Sequence, residues 1–248
     1  MTADFVPLYS PDMGTDQTGK PSPSDETRPA KEGPVPSPAI RRLCLYLREL
    51  EGFLVQDRHT VSSKQLGQML GLTDAQVRKD LAYFGQFGYP GVGYRVEELI
   101  ARIRSILGTD RTWNAVLLGA GNLGRALLSY RGFFKKGFRI VAAIDCDAHR
   151  IGEQVGMTPG LRVLPLERLA EVIAQYDVQI AILCVPADAA QSLADRLVPL
   201  GIMGILNFAP VAINVPETVS VTSVDLAVHF EQLAFRISAR QVAQEHGG

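Results

Sequence analysis

The chain has 248 residues, a formal net charge of −1 and 46% hydrophobic residues. This length accommodates one large or two modest domains, and the hydrophobic fraction is ample for buried cores. The near-neutral charge excludes a globally basic nucleic-acid binder, so any such site must be local. No run approaches the about twenty apolar residues of a membrane span, and the N-terminus has no signal-peptide pattern. We therefore expect a cytoplasmic protein without a membrane segment.

The N-terminal stretch, residues 1–37, is rich in Pro, Ser, Asp, Thr and Lys and has no apolar periodicity. This composition predicts a disordered tail. From Ile40 to Leu50 the apolar residues return at helical spacing, which marks the start of a folded domain over residues 38–110.

Two short helices follow, each with a hydroxyl residue at its start and Gln three residues later, at Ser62 and at Thr73. This is the capping-box pattern. A tight turn at Gly71 joins them, which predicts a helix-turn-helix. The second helix carries polar side chains of the types that reach base edges and phosphates. These are Gln76, Arg78, Lys79 and Tyr83. A packed helical corner without DNA binding remains an alternative on this pattern alone.

Residues 87–94 contain the turn residues of a β-hairpin, which would make the domain a winged helix. Arg95 follows and is a further candidate DNA contact. A third helix is predicted from Glu97 to Leu107, ending at Gly108.

The next segment, Val116 to Gly124, is an apolar run that ends in Gly-x-Gly-x-x-Gly and leads into a helix. Glycines let the backbone bend there and approach a phosphate, and the N–H groups of a helix start favour an anion. The turn itself supplies the candidate ligand contacts. They are Gly119, Ala120, Gly121, Asn122, Leu123 and Gly124.

A second apolar run, from Phe138 to Ile144, ends in Asp145, about twenty residues past the last glycine. An acid here can accept hydrogen bonds from adenosine ribose hydroxyls and would repel a 2'-phosphate, so we expect NAD(H) rather than NADP(H). A glycine turn that only packs a helix on a sheet remains open. So does a site for coenzyme A or another adenine nucleotide.

Strands and helices alternate after this motif, which predicts a Rossmann-like, doubly wound parallel sheet over residues 111–223. Ligands of such sheets lie beyond the carboxyl ends of the strands, which adds Val185, Pro186, Asn207 and Phe208 to the candidate contacts. These segments are mainly apolar. A dry pocket without a compensating acid disfavours the positive oxidised nicotinamide, so we expect NADH to bind in preference to NAD+.

The last segment, residues 224–248, is predicted to form one long helix with apolar residues at helical spacing from Leu226 to Ile237. It either packs on a partner chain or covers its own sheet.

An enzyme is not favoured, because a dehydrogenase needs a substrate site and a proton-transfer group, and little chain remains after the last strand. Neither the four histidines nor the cysteines form a catalytic or metal-binding pattern. Cys44, Cys146 and Cys184 have no disulfide spacing and indicate reduced thiols. For Cys146, beside Asp145, we expect a small buried hydrophobic residue, with an oxidation-sensitive thiol as the alternative. The remaining hypothesis joins the halves: a DNA reader controlled by a nucleotide.

Four separated motifs carry a resemblance to a known family. They are Val77-Arg78-Lys79-Asp80-Leu81-Ala82-Tyr83-Phe84-Gly85, Gly91-Val92-Gly93-Tyr94, the glycine turn with Tyr130-x-Gly132-Phe133, and residues 204–210 (GILNFAP). In this order they resemble the redox-sensing transcriptional repressor Rex, over all of the chain except the tail.

The resemblance implies a homodimer whose C-terminal helix is exchanged between subunits, and which leaves an inverted-repeat operator in double-stranded DNA when NADH binds. NAD+ would compete with NADH, and the controlled genes would be respiratory and fermentative. The resemblance also implies a charge contact involving Arg48 and Asp225 that differs between the DNA-bound and the NADH-bound arrangements. It further implies that Tyr130 lies by the nicotinamide. One departure concerns the wing, where a basic residue of the family's pattern is replaced by Pro90.

Overall fold

The computed structural model describes residues 36–85, 87–88 and 91–245. Contacts divide the chain after Arg111 into two compact units, which we call the N-terminal unit (residues 36–111) and the sheet unit (residues 112–245). Most of the predicted tail, and Pro90 in the predicted wing, lie outside the described residues.

The N-terminal unit is built from helices that bury one apolar face each. Its elements are α1 (Ser37–Val55), β1 (Thr60–Val61), α2 (Ser63–Leu70), α3 (Asp74–Ala82), β2 (Tyr94–Arg95) and α4 (Val96–Ile106). Leu43 and Leu50 of α1 meet Leu66 of α2, Leu81 of α3 and Ile103 of α4 in one core. Burial of these side chains, worth about 1.5–3 kcal/mol each before the entropy of ordering them, holds the helices together.

The predicted helix-turn-helix is formed by α2, a turn and α3. Ser62 caps α2 with a complete capping box, because its hydroxyl accepts from Gln65 N–H while the Gln65 side chain accepts from Ser62 N–H. Gly71 ends that helix in the left-handed region at φ 66°. Thr73 accepts from Gln76 N–H at 3.1 Å, but the Gln76 side chain turns to Asp80 instead of back to the cap. Only half of the second predicted capping box is therefore present.

The predicted wing lies only partly within the described residues. Among those residues, β2 pairs antiparallel with β1, with Thr60 opposite Arg95 and Val61 opposite Tyr94. The partner strand of β2 therefore comes from before α2, while the hairpin predicted within residues 87–94 includes positions outside the described residues and stays a prediction. Gly93, at φ 91°, lies so close to the Val61 carbonyl group that a side chain would collide with it.

The sheet unit contains a six-stranded parallel sheet in the order β5-β4-β3-β6-β7-β8. The strands are β3 (Trp113–Leu118), β4 (Phe138–Asp145), β5 (Val163–Pro165), β6 (Ile180–Leu183), β7 (Gly204–Asn207) and β8 (Ser220–Ser223). The chain runs outward from β3 through β4 to β5, then crosses back to β6 and continues to β8. The order reverses between β3 and β6, which is the point where doubly wound sheets bind ligands. The predicted fold is confirmed.

Helices of the sheet unit connect and cover these strands. They are α5 (Asn122–Leu128), α6 (Gly132–Lys135), α7 (Leu169–Tyr176), α8 (Ala187–Leu197) and α9 (Leu226–Glu245). Buried residues of α7 and α8, such as Val172 and Leu197, pack with Val116, Ile144 and Leu183 of the strands. The alternation of strands and helices predicted for residues 111–223 is present.

The last helix, α9, leaves its large apolar side chains in solvent within this single chain. The side chains of Phe230 and Phe235 are 72% and 75% exposed, and Leu233 is 51% exposed. Among the described helices, none has both the length and the apolar character needed to span a lipid bilayer. Within the same described ranges, no cluster of three or more His, Cys, Asp or Glu side chains is placed to hold a metal ion.

Candidate dinucleotide site and DNA-facing helix

The glycine turn after β3 has the close approaches that its sequence predicts. Gly119 has φ 94°, and a side chain there would overlap the carbonyl oxygen of Cys184 on the neighbouring strand. A side chain at Gly124 would overlap the carbonyl oxygen of Gly119. Gly121 differs, because the nearest atom to its missing Cβ is Arg150 Nη1 at 3.9 Å. Two glycines thus allow the chain to pack, and Gly121 leaves room on the ligand side.

A cavity of about 640 Å³ lies beside this turn, at the carboxyl ends of the central strands. Its volume is within the range of small-molecule and cofactor sites. Seven of the predicted cofactor contacts line it. They are Gly119, Gly121, Asn122, Leu123, Asp145, Val185 and Pro186. The sequence-based prediction therefore places most of its residues in one concave surface.

Asp145 ends β4 at the cavity wall and is 7% exposed. Its Oδ2 accepts from Ala120 N–H at 2.8 Å and from Arg150 Nη1 at 3.1 Å, and its Oδ1 accepts from Asp147 N–H at 2.9 Å. Burial alone would raise the pKa of Asp145, but these hydrogen bonds outweigh it and lower the pKa below its ordinary value. The carboxylate is therefore ionised at neutral pH and fixed in direction.

The other predicted cofactor residues lie elsewhere. Ala120 is buried and donates its N–H to Asp145, and Gly124 is buried against the turn. Asn207 is fully buried and holds the following loop, accepting from Ala209 N–H and donating to the Val211 carbonyl. Phe208 packs on the sheet core, and Tyr130 is 61% exposed beside a second, smaller cavity. In this arrangement these residues do not meet the Asp145 cavity.

Several cavity residues were missed by sequence reasoning. Asp147 and Arg150 follow Asp145 in a loop, and one face of α8 contributes further lining side chains. The missed polar or ionisable residues are Cys146, Asp147, Arg150, Ser192 and Arg196. The spacing of Ala189, Ser192, Leu193 and Arg196 at i, i+3, i+4 and i+7 was a usable signal for one helix face, but nothing local indicated which face meets a ligand.

The cysteines of the cavity differ in environment. Burial raises the pKa of the Cys184 thiol to about 11, so this thiol stays protonated at neutral pH. Cys146 is exposed and lines the cavity, as Cys44 is exposed in α1. The expectation of free thiols is confirmed. The expectation of a buried hydrophobic residue at Cys146 is wrong, because this side chain is exposed at the cavity.

In the N-terminal unit, Asp80 of α3 is the centre of a polar network. It is 2% exposed and accepts from Arg42 Nε at 2.5 Å, Arg42 Nη2 at 2.8 Å, Tyr46 Oη at 2.7 Å and Gln76 Nε2 at 2.7 Å. Burial would raise the pKa of Asp80, but the hydrogen bonds from Arg42, Tyr46 and Gln76 lower it. This network ties α3 to α1 and occupies the side chain of Gln76, a predicted base contact.

The remaining predicted DNA contacts are nearer to solvent. Arg78 and Lys79 are exposed on α3, and Arg78 donates to Asp74 Oδ2 at 2.6 Å. Arg95 pairs with Glu98 at 3.2 Å, and Tyr83 is half-buried with its ring near Phe84. The structure thus places cationic groups on the outer surface of α3.

The two predicted switch residues each have local partners in this chain. Arg48 of α1 pairs with its neighbour Glu49 at 3.0 Å. Asp225 precedes α9, and its Oδ1 accepts from Ala227 N–H at 2.8 Å, so it acts as the N-cap of that helix.

Family models match both units. Residues 110–211 match the model described as a CoA binding domain, and residues 34–82 match the model described as a putative DNA-binding protein N-terminus. Among solved structures, RSP in complex with β-NAD+ and operator DNA is 37% identical with a TM-score of 0.79, covering 88% of this chain and 99% of that one. RSP in complex with β-NADH is 36% identical with a TM-score of 0.77, covering 86% and 99%.

Curated relatives carry one name, redox-sensing transcriptional repressor Rex. The protein of Carboxydothermus hydrogenoformans is 50% identical over 203 residues, which is 82% of this chain and 96% of the relative. That of Desulforamulus reducens is 44% identical over 84% of this chain and 97% of the relative. Rhodopirellula baltica has a relative 45% identical over 82% and 85%. These names are those of repressors, which confirms the prediction that the chain is not an enzyme. The chain belongs to the Rex family of redox-sensing transcriptional repressors.

Proposed function

We propose that this protein is a homodimeric repressor that binds operator DNA through its N-terminal unit and is released when NADH binds its sheet unit. The observation that carries the proposal is the cavity at the glycine turn, with an ionised, oriented Asp145 on its wall. The relative RSP has been solved both with β-NAD+ and operator DNA and with β-NADH, which supports the same ligands here.

The dinucleotide is oriented by contacts at two parts of the cavity. The pyrophosphate lies against the open backbone at Gly121, and the adenosine ribose donates a hydroxyl to Asp145. Val185 and Pro186 supply an apolar wall, which favours the neutral reduced nicotinamide over the cationic oxidised ring. NAD+ therefore competes weakly with NADH. Tyr130, Asn207 and Phe208 stay candidates for the nicotinamide end on the family resemblance.

Coenzyme A is the main alternative ligand, since the sheet unit matches a CoA binding domain model. The adenosine ribose of coenzyme A carries a 3'-phosphate. A buried carboxylate at that ribose repels this group, so Asp145 favours NADH.

On the DNA side, we assign phosphate contacts to Arg78, Lys79 and Arg95, because their cationic groups are exposed. Gln76 and Tyr83 remain candidate base contacts. Gln76 must first leave Asp80, which it meets at 2.7 Å. A two-fold dimer presents two copies of α3, so the operator is an inverted repeat with half-sites spaced by whole helical turns.

The dimer is supported by α9, whose apolar side chains lie in solvent in the single chain. A contiguous apolar surface of this kind favours association. We assign the cover to a second copy, with α9 exchanged between subunits and with Arg48 and Asp225 changing partners between the DNA-bound and NADH-bound arrangements. Because operator DNA lies in the cytoplasm, we place the protein there, acting on respiratory and fermentative genes.

NADH can release DNA only if it binds the non-DNA-binding arrangement more tightly, and operator DNA must then weaken NADH binding by the same factor. The test is a fluorescence anisotropy titration on an AT-rich inverted-repeat operator at fixed salt, with NADH, NAD+ and coenzyme A added in turn. We expect release by NADH alone at low concentration. Release by coenzyme A alone, or by none of the three, would overturn the proposal.

Two variants separate the units in this assay. Lys79→Ala should weaken operator binding and leave NADH affinity intact, and Lys64→Ala, at an exposed lysine of α2, is its charge-matched control.

Sedimentation velocity tests the dimer: Phe230→Asp in α9 should shift the protein towards monomer. An unchanged dimer would contradict the assignment of α9 to the interface.

A further inference from the structure

The side chain of Arg150 lies beside Asp145 in the cavity, between two carboxylates. Its Nη1 is 3.1 Å from Asp145 Oδ2, and its Nε is 3.4 Å from Asp147 Oδ2. The same Nη1 is the nearest atom to the missing Cβ of Gly121, at 3.9 Å. Arg150 therefore sits where the predicted ribose acid and the phosphate-facing glycine meet.

The charges around this point are unequal. Asp145 and Asp147 contribute two negative charges against one positive charge from Arg150. A 2'-phosphate would add about 1.5 to 2 further negative charges at neutral pH. As long as Asp145 holds Arg150, the arginine is not available to balance them. The Asp145–Arg150 pair thus disfavours NADPH for two reasons. The carboxylate repels the 2'-phosphate, and the arginine that could balance this phosphate is already paired.

The hydrogen-bond capacity of Asp145 leads to the same conclusion. A carboxylate has about four acceptor positions, and those of Asp145 are occupied by Ala120 N–H, Asp147 N–H and Arg150. About one position remains for a ribose hydroxyl. A neutral 2'-hydroxyl can fill it, whereas a phosphate oxygen is an acceptor and cannot.

From this geometry we infer that Arg150 is a latent 2'-phosphate ligand held in check by Asp145, and that this ion pair sets the choice between NADH and NADPH. The inference rests on the proposed NADH-binding function and deepens it. An arginine near the ribose is the group that dinucleotide-binding sheets use to accommodate a 2'-phosphate. Here that arginine is already in place, and one carboxylate decides its partner.

The experiment measures the dissociation constants of NADH and NADPH by nicotinamide fluorescence, with operator release as a second readout, in the full chain. Asp145→Ser removes the carboxylate that accepts from Arg150 Nη1 and leaves the arginine paired only with Asp147, at 3.4 Å from its Nε. We expect NADPH affinity to rise at least about tenfold, as a charge-assisted contact with phosphate forms, while NADH affinity falls. Asp145→Asn is the second variant, in case the serine variant does not fold.

The double variant Asp145→Ser/Arg150→Ala should lose the gained NADPH affinity. Its control is Asp145→Ser/Lys135→Ala, which removes an exposed cation of the sheet unit outside the cavity lining. That control should keep the gain. If the gain survives loss of Arg150, or disappears with Lys135 instead, the inference is wrong.

Wild-type protein separates this inference from the proposed function. If wild type neither binds NADH nor leaves the operator in its presence, both fail. If wild type responds to NADH, but neither Asp145 variant gains NADPH affinity, only the inference about Arg150 fails.

Discussion

Asp80 in the N-terminal unit and Asp145 in the sheet unit are both buried, both ionised and both bonded to an arginine, yet their surroundings differ. Asp80 accepts only from side chains, those of Arg42, Tyr46 and Gln76. Asp145 accepts from two backbone N–H groups and one arginine, and it faces a cavity. A carboxylate closed in by side chains fixes helix packing, whereas one held by backbone keeps its direction for a ligand.

The largest expected effect comes from removing the Asp80 carboxylate in the N-terminal unit. Asp80→Ala leaves Tyr46 and Arg42 without their acceptor in a mostly buried setting, which should cost the N-terminal unit about 2–4 kcal/mol. Hydrogen exchange of the α1 and α3 amides measures this locally. Asp74→Ala, which removes an exposed acid from the same helix, is the control and should cost much less. Equal losses would contradict a special role for the Asp80 network.

The second effect concerns the ligand and not the fold. Asp145→Ala removes the ribose acceptor, and NADH affinity should fall about 10–100-fold, the loss of one charge-assisted hydrogen bond. Operator binding without cofactor should persist, as measured by anisotropy. Asp195→Ala, an exposed acid of α8 outside the cavity lining, should change neither. Loss of both activities in Asp145→Ala would show that the units do not act separately.

A smaller effect distinguishes the two arginines. Arg42 donates from two nitrogens to the two oxygens of Asp80, a geometry that lysine cannot reproduce. Arg42→Lys should therefore cost about 1 kcal/mol in the N-terminal unit. Arg150 gives Asp145 a single hydrogen bond, so Arg150→Lys should change exchange in the sheet unit very little. A larger loss of stability from Arg150→Lys than from Arg42→Lys would contradict this expectation.

The smallest expected effect is the loss of stability of the two units in acid. The pKa values of Asp80 and Asp145 are both lowered from 3.8, so each group's contribution to stability is complete above that pH and is lost as the pH falls through the lower folded value. The stability difference between wild type and Asp80→Asn should thus be constant near neutral pH and shrink only in acid. If the stability difference between wild type and Asp80→Asn disappeared between about pH 6 and 7, a histidine and not Asp80 would be the titrating group.

Some features were predictable because they depend on neighbours in the chain. The Ser62 capping box, the Gly119 turn and the acid at the end of β4 are set by residue types at fixed short spacings. The doubly wound parallel sheet was also predictable, since strands that alternate with helices leave few connections other than parallel ones.

What only the tertiary structure decided depends on contacts between distant residues. The partner of β2 is a strand more than thirty residues earlier, and Gln76 faces Asp80, which α1 holds from the other side. Arg150 reaches the ribose acid through a loop whose course no periodicity predicts. Local spacing by itself determined the glycine turn, the acid and the helix caps, because backbone geometry is local. The networks of Asp80 and Asp145 were decided by packing, because their partners meet only once the chain has folded.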